Sequence, residues 1–214
     1  MSCGGSTDPV LQSELAAIAV PGVLIGHRLI ASGDELALLP EEAEAFTRSI
    51  DKVRRASGAA RIVARSLLAQ LGHPGCPVPR TRAGPPAWPA GVIGSLAHDS
   101  AVAVAAVARQ GAVGALGIDV EPAEALPPEL LDMVTTPQER GSVAADPYQG
   151  RLLFVAKEAV YKAVYPLDRT FLEHHEVEVS LADRTARLRN SRVVELRFCV
   201  STHLVALAFI RARA

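Results

Sequence analysis

Apolar and polar positions alternate along this chain with two distinct periods, and the switches between them outline its elements. Within Ala16–Ile30 the short apolar runs AAIAV and VLIGHRLI, split by Pro21-Gly22, read as two strands. From Pro40 to Gly72 the pattern turns helical. Pro40 with Glu41 and Glu42 suits a first turn and Gly72 a stop, while Ser57-Gly58 offers a break into two helices. Residues His73–Gly94 are rich in Pro and Gly and read as an ordered loop. AVAVAAVA and AVGALGIDVE follow as two strands, and Arg109-Gln110-Gly111 between them is a hairpin signal. Leu126–Gly141 reads as short helices around Thr136-Pro137, and Tyr148–Tyr165 as a longer helix stopped by Pro166. Four strands close the chain: VEVSLA, TARLR, VVELRFCV and HLVALAFI.

The order is strands, helix, strands, then helix and strands again. Each half carries one main helical region and about three strands, and short turns between consecutive strands favour antiparallel pairing. No repeat by residue identity connects the halves.

Composition narrows the function. The 214 residues are 49 % hydrophobic with a formal net charge of -1, which suits a compact globule and not a general nucleic-acid binder. Cys3, Cys76 and Cys199 are odd in number and lack a Cys-x-x-Cys spacing, against a structural zinc site or disulfide framework. MSCGGSTDPV has neither a basic start nor a long apolar run, so no signal peptide is expected. No stretch approaches the length of a membrane helix, and a reducing cytoplasm is the expected compartment.

Chemistry concentrates in GIDVE and KEAVYK. On a strand, Asp119 and Glu121 stand on one face, with Ile118 and Val120 on the other. Two adjacent carboxylates repel. Either they are solvated at a strand end before Pro122, or a hard cation neutralises them, with Glu158 as a third oxygen ligand. On the helix, Glu158 and Lys162 are an i, i+4 pair flanked by Lys157, a spacing shared by ordinary surface ion pairs. Arg54, Arg61 and Arg65 share one helical face with Arg55 beside them, either a solvated row or a phosphate site. In GSLAHD, His98 is either a structural hydrogen-bonder or a phosphate donor, and Trp88 between prolines reads as loop packing.

Taken in order, RASGAARIVAR (Arg55–Arg65), GPPAWPAGVIGSLAH (Gly84–His98), GIDVE, TTPQE and FVAKEAVYKAVYP resemble the 4'-phosphopantetheinyl transferases, with the siderophore-synthetase-associated branch as the nearest type. The resemblance runs from about Leu39 to Val179. Phe154, Val155 and Ala60 depart from its common pattern, Ala60 standing where Gly is usual before Arg61. It implies an α+β fold in one domain spanning 1–214, with two pseudo-symmetric halves, 1–111 and 112–214, each a helix packed on a small antiparallel sheet. It also implies Mg²⁺-dependent transfer of the 4'-phosphopantetheine arm of CoA to a serine of an apo acyl or peptidyl carrier protein, leaving adenosine 3',5'-bisphosphate; Mn²⁺ is an alternative metal.

By position, Asp119, Glu121 and Glu158 become metal ligands. Lys157 and Lys162 face the pyrophosphate, Ser95 and His98 the phosphate end, and Arg54, Arg55 and Arg61 the 3'-phosphate side. Glu139 in TTPQE matches a glutamate suggested as base for the carrier serine, with a metal-held water as the alternative. The resemblance further implies a monomer. A non-catalytic CoA- or carrier-binding relative is the chief rival, and a different CoA-dependent acyltransferase is less suited, since thioester chemistry needs no three-carboxylate site near the pyrophosphate.

Overall fold

A computed structural model describes residues 7–143 and 146–212; the opening MSCGGS, with Cys3, lies outside them. Helix α1 (Pro9–Ile18) is built where the apolar pattern suggested a strand over AAIAV. Asp8 caps it, accepting from the N–H groups of Val10 and Leu11, and Pro9 sits at the first helical position. Leu11, Leu15 and Ile18, spaced four and three apart, are its buried stripe. The second run forms strand β1 (Val23–Leu29) as expected.

A 3₁₀ turn (Asp34–Ala37) and the short helix α2 (Pro40–Ala43) lead to α3 (Asp51–Gln70), which runs unbroken through Ser57-Gly58. Gly58 is a contact point, not a breaker: a Cβ there would stand 1.9 Å from the Asp34 carbonyl oxygen. The His73–Gly94 loop ends early, because Val92–His98 is strand β2. Gly94 and Ser95 hide that strand from an alternation test. Gly94 is required by crowding, since a Cβ would lie 2.7 Å from the Trp88 ring and 2.8 Å from the Ala106 carbonyl.

Strand β3 (Val102–Arg109) pairs antiparallel with both β1 and β2, giving the order β1-β3-β2. Both its edges are therefore taken. For that reason β4 (Val113–Pro122) forms no hairpin with it across Arg109-Gln110-Gly111; the turn instead carries the chain into a second sheet. That sheet is antiparallel in the order β4-β8-β7-β6-β5, with β5 (Val177–Ser180), β6 (Thr185–Leu188), β7 (Val193–Val200) and β8 (His203–Arg211). Helices α4 (Pro128–Val134) and α5 (Arg140–Val143) bracket Thr136-Pro137. Helix α6 (Pro147–Asp168) continues past Pro166, which falls in its last turn and removes one backbone hydrogen bond without ending the helix; Arg169, left-handed at φ 60°, caps it.

The fold is α+β, with one long helix on each antiparallel sheet. α3 covers one face of the first sheet through Val63, Ala64, Leu67 and Leu68 against Ala105 and Val107. The opposite face of that sheet (Val102, Val104, Ala106, Ala108) shares a single apolar cluster with Leu116, Ile118, Val120, Val205, Leu207 and Phe209 of the second. α6 then covers the far side of the second sheet. The halves differ in size, three strands against five. Cys199 lies in the inter-sheet cluster, and burial pushes its thiol up to about 11. We expect Cys199 to resist alkylation at pH 8 in the folded protein and to react after denaturation, read by peptide mass mapping.

The α6–β4 crossing positions the site. A Cβ on Gly117 would fall 2.0 Å from the Ala159 carbonyl oxygen and 2.6 Å from the Ala163 nitrogen, backbone atoms that cannot step aside. Gly117→Ala is expected to destabilise by about 3 kcal/mol, near the top of the usual overpacking range, lowering the melting temperature by roughly 10 °C in a thermal denaturation scan.

Candidate active site

Strand β4 alternates as its sequence requires. Leu116, Ile118 and Val120 enter the inter-sheet core, while Gly117 meets α6 and Asp119 and Glu121 stand on that same face. Across from them, α6 presents Glu158 and Lys162 one turn apart. Lys162 Nζ donates to Asp119 Oδ1 at 2.5 Å. Arg151, two turns before Glu158 on the same helix, donates from Nη1 to Glu121 Oε2 at 2.9 Å. Glu158 Oε1 lies 2.9 Å from His174 Nε2. Three carboxylates thus meet at the crossing, each turned onto its own cationic or imidazole partner.

Their proton affinities record the crowding. Burial raises the Asp119 pKa, the charge of Glu158 adds to this, and Lys162 opposes it. Burial and then Asp119 raise the pKa of Glu121, against Arg151. Glu158 moves the other way, lowered first by the hydrogen bond from His174 and also by Lys162. Among the described residues no group of three His, Cys, Asp or Glu side chains converges tightly enough to enclose one ion as the carboxylates now point. The donor set nonetheless fits a hard divalent cation: it is all oxygen, and its like charges oppose one another's ionisation.

Beside the carboxylates lies a cavity of about 510 Å³ between the two sheets' long edges, the 80–88 loop and the end of α6. Trp88, Ile93, Leu96, Leu116, Tyr161 and Tyr165 give it apolar walls, and Arg80, Ser95, Lys162 and Arg169 supply polar groups. Ser95 is buried and accepts the Ile118 N–H at 3.1 Å, satisfying a donor on the β4 edge that no strand pairs. His98, at the end of β2, is open to solvent on one side, but crowding by the protein lowers its pKa, and the charges of Lys162 and Arg61 lower it further. Burial likewise lowers the Arg61 pKa, with Arg65 and Arg80 repelling it and Glu42 opposing. Charge links these basic groups in a chain, His98 to Lys162 and Arg61, and Arg61 to Arg80. Arg80 and Lys162 line the cavity while Arg61 is buried, and such a cluster suits a polyanion.

The remaining residues singled out from sequence lie elsewhere. Glu139 and Lys157 meet inside the C-terminal half, where Lys157 Nζ donates to Glu139 Oε2 at 2.6 Å, to the Val134 carbonyl at 2.7 Å and to the His174 carbonyl at 3.0 Å. Glu139 also accepts the N–H groups of Thr136 and Val179. Lys157 is 1 % exposed and Glu139 4 %, so neither faces the cavity rim. Arg55 Nε donates to Glu35 Oε2 at 2.9 Å. Arg54 has a buried Nε without a hydrogen-bond partner among the described residues. Arg61 Nε donates to the Val78 carbonyl and Nη1 to that of Ser57, and its guanidinium stacks on Phe46 at 4.9 Å. Arg65 is bound to Glu42 at 2.5 Å.

Sequence reasoning missed Arg80, Arg151 and His174. Arg151 had a usable signal, its seven-residue spacing from Glu158 on one helical face. Arg80 and His174 sit in irregular segments, where no period assigns a facing.

A four-layered α+β frame, helix on sheet on sheet on helix, gathers acidic and basic groups at the α6–β4 seam, and comparison with known proteins specifies the family. The sequence model of the 4'-phosphopantetheinyl transferase N-terminal domain matches residues 41–108, and that of the 4'-phosphopantetheinyl transferase superfamily matches residues 115–208. The chain is 41 % identical over 158 residues to the 4'-phosphopantetheinyl transferase Svp of Streptomyces mobaraensis, covering 71 % of this chain and 64 % of that one. It is 40 % identical over 149 residues to PptT of Mycobacterium tuberculosis, covering 68 % and 66 %. With Npt of Nocardia iowensis the identity is 37 % over 164 residues, covering 75 % and 74 %. Thermotoga maritima holo-[acyl-carrier-protein] synthase aligns with a TM-score of 0.39 at 19 % identity, over 47 % of this chain and 65 % of that one. The chain belongs to the 4'-phosphopantetheinyl transferase superfamily, and it spans about two thirds of the length of the first two of these relatives. Among the described residues no helix is long and apolar enough to cross a membrane.

Proposed function

We propose that this protein transfers the 4'-phosphopantetheine arm of CoA to a serine of an apo carrier protein, with Mg²⁺ or Mn²⁺ held by Asp119, Glu121 and Glu158. The observation that supports this most is the seam itself, where Asp119 feels the charge of Glu158, and Glu121 that of Asp119, next to a cavity lined by Lys162 and Arg80. CoA is a polyanion carrying a divalent-cation-binding pyrophosphate, and this pairing of charges suits it. When bound, the cation would neutralise the pyrophosphate and polarise the attacked phosphorus.

The chain's own residues do the rest. Lys162 can exchange Asp119 for pyrophosphate oxygens; Ser95 and Arg80 line the same cleft, and His98 feels the charge of Lys162. Arg61 adds charge toward the nucleotide side, with Arg54 and Arg55 further along α3 for the 3'-phosphate. In the reaction the serine oxygen forms a bond to the phosphorus bearing the pantetheine arm. The bridging P–O bond breaks and adenosine 3',5'-bisphosphate leaves with its electron pair. The serine proton goes to a base at the seam. Glu158 is our assignment, because its side chain is 31 % exposed and His174 beside it can pass the proton to solvent. Glu139 and Lys157, closed off in the core, serve the fold in this reading in place of the base and pyrophosphate roles their sequence positions suggested.

The resemblance to the siderophore-associated branch and the absence of a membrane-crossing helix among the described residues support an acceptor in a secondary-metabolite synthetase and a cytoplasmic site of action. Intact-mass spectrometry of an apo carrier incubated with the protein, CoA and Mg²⁺ tests the proposal. One added phosphopantetheine, absent with EDTA, is the expected result. CoA binding without mass gain on any of several carriers would favour a non-catalytic relative instead.

A further inference from the structure

Among the three partners of the seam carboxylates, Arg151 differs from the other two. Lys162 lines the cleft and has an anionic substrate group to move to, and His174 is an imidazole, whose ring can stay beside Glu158 without a fixed charge. Arg151 has neither outlet. Its charge is permanent. Its Nη1 holds Glu121 at 2.9 Å and its Nη2 donates to the Ala125 carbonyl at 3.3 Å, tying the helix to the chain just after β4. Its Nε is buried with no hydrogen-bond partner among the described residues. Both side chains are mostly shielded, at 15 % and 24 % exposure, so water screens the pair only in part.

We propose that Arg151 is a built-in competitor for the cation: it holds Glu121 in the metal-free protein and must give up that carboxylate when the divalent ion arrives. The inference rests on the cation site proposed above. Two consequences follow from charge alone. In the metal-free state Arg151 offsets the repulsion that Glu121 feels from Asp119, whose own partner is Lys162. In the loaded state it places a fixed positive charge beside a divalent cation, weakening that ion's hold. Arg151 is thus a positioning residue that tunes metal affinity downward while stabilising the empty site.

The test is Mn²⁺ binding to the full chain, followed by calorimetry and by the electron paramagnetic resonance of free Mn²⁺, without CoA or carrier. Wild type is compared with Arg151→Gln, Arg151→Lys and Asp119→Asn, each also melted with and without Mn²⁺. Arg151→Gln should bind Mn²⁺ roughly five- to tenfold more tightly, the effect of removing one unit charge from a partly shielded site. It should melt lower than wild type when metal-free and show a larger Mn²⁺-induced rise. Arg151→Lys keeps the charge and should stay close to wild type, and it remains informative if the Gln variant folds poorly. Unchanged or weaker Mn²⁺ binding by Arg151→Gln, with wild-type binding that Asp119→Asn abolishes, would overturn the competitor role alone. Wild type that binds no Mn²⁺, or Asp119→Asn that binds it equally well, would overturn the cation site and this inference with it.

Discussion

Asp119→Asn is expected to lower phosphopantetheine transfer by roughly a hundred- to a thousandfold, on the scale set by losing preorganised charge stabilisation in an active site, while leaving the folded protein no less stable. The two halves of that expectation come from one geometry. Asp119 is 7 % exposed, on the strand face that packs against α6, where it meets both Glu158 and Lys162. Burial and the neighbouring charge raise its pKa, so the folded protein holds a proton there more firmly than the unfolded chain does. A carboxylate of raised pKa contributes stability below its unfolded value near 4 and loses that contribution as pH climbs through the folded value. Above that folded value, and without metal, the charge on Asp119 is therefore a net burden on the fold. Asparagine keeps the shape and removes the charge. Melting curves of metal-free protein at pH 7 should show Asp119→Asn equal to or above wild type, and transfer assays should show almost no product. A variant that unfolds, or one that turns over near the wild-type rate in Mg²⁺, would contradict the assignment.

The second large effect concerns stability. Lys157→Met should destabilise by about 3–5 kcal/mol, because it leaves Glu139 buried without its cation. The pair is enclosed, and Lys157 satisfies three acceptors that methionine cannot reach: Glu139 and the carbonyls of Val134 and His174. Glu139→Gln should cost less, since an amide oxygen still accepts one of the N–H groups of Thr136 and Val179. The double variant should then be more stable than the sum of the single losses, which denaturant titration of the four proteins reads directly. If Lys157→Met instead kept full stability and lost affinity for CoA, the lysine would belong to the donor site. The pair fastens three segments at once: the end of α4, the turn before α5 and the 3₁₀ turn at His174–Glu176. Through the last of these it also sets the backbone that carries His174 to Glu158.

How far sequence reached depends on the element. The alternation in GIDVE placed Asp119 and Glu121 on one face and Ile118 with Val120 on the other, and the structure has that arrangement, because a strand's two-residue period is read from the chain alone. The i, i+4 spacing of Glu158 and Lys162 was equally legible. Failures came where a local pattern is shared by two structures, or where distant chain decides. AAIAV suits a strand, yet the deciding signals were Asp8-Pro9 before it and the Leu11, Leu15, Ile18 spacing. Gly58 and Gly94 resembled interruptions, yet each marks a place where another segment's backbone or ring comes too close for a Cβ. The β3–β4 hairpin failed because β1, far back in the chain, had already filled the edge of β3. For Lys157 and Lys162, five residues apart in one motif, nothing in composition tells which is buried; α6 turns the first into the core and the second to the cleft.

The measurement that bears most directly on the whole account is a crystal structure of the protein soaked with CoA and Mn²⁺, using the anomalous scattering of manganese to locate the ion. We expect one strong anomalous peak among Asp119, Glu121 and Glu158, with the CoA pyrophosphate beside it and Lys162 turned from Asp119 toward the phosphates. Manganese elsewhere with those carboxylates still bound to Lys162, Arg151 and His174, or CoA seated away from the cleft between the two sheets, would contradict it.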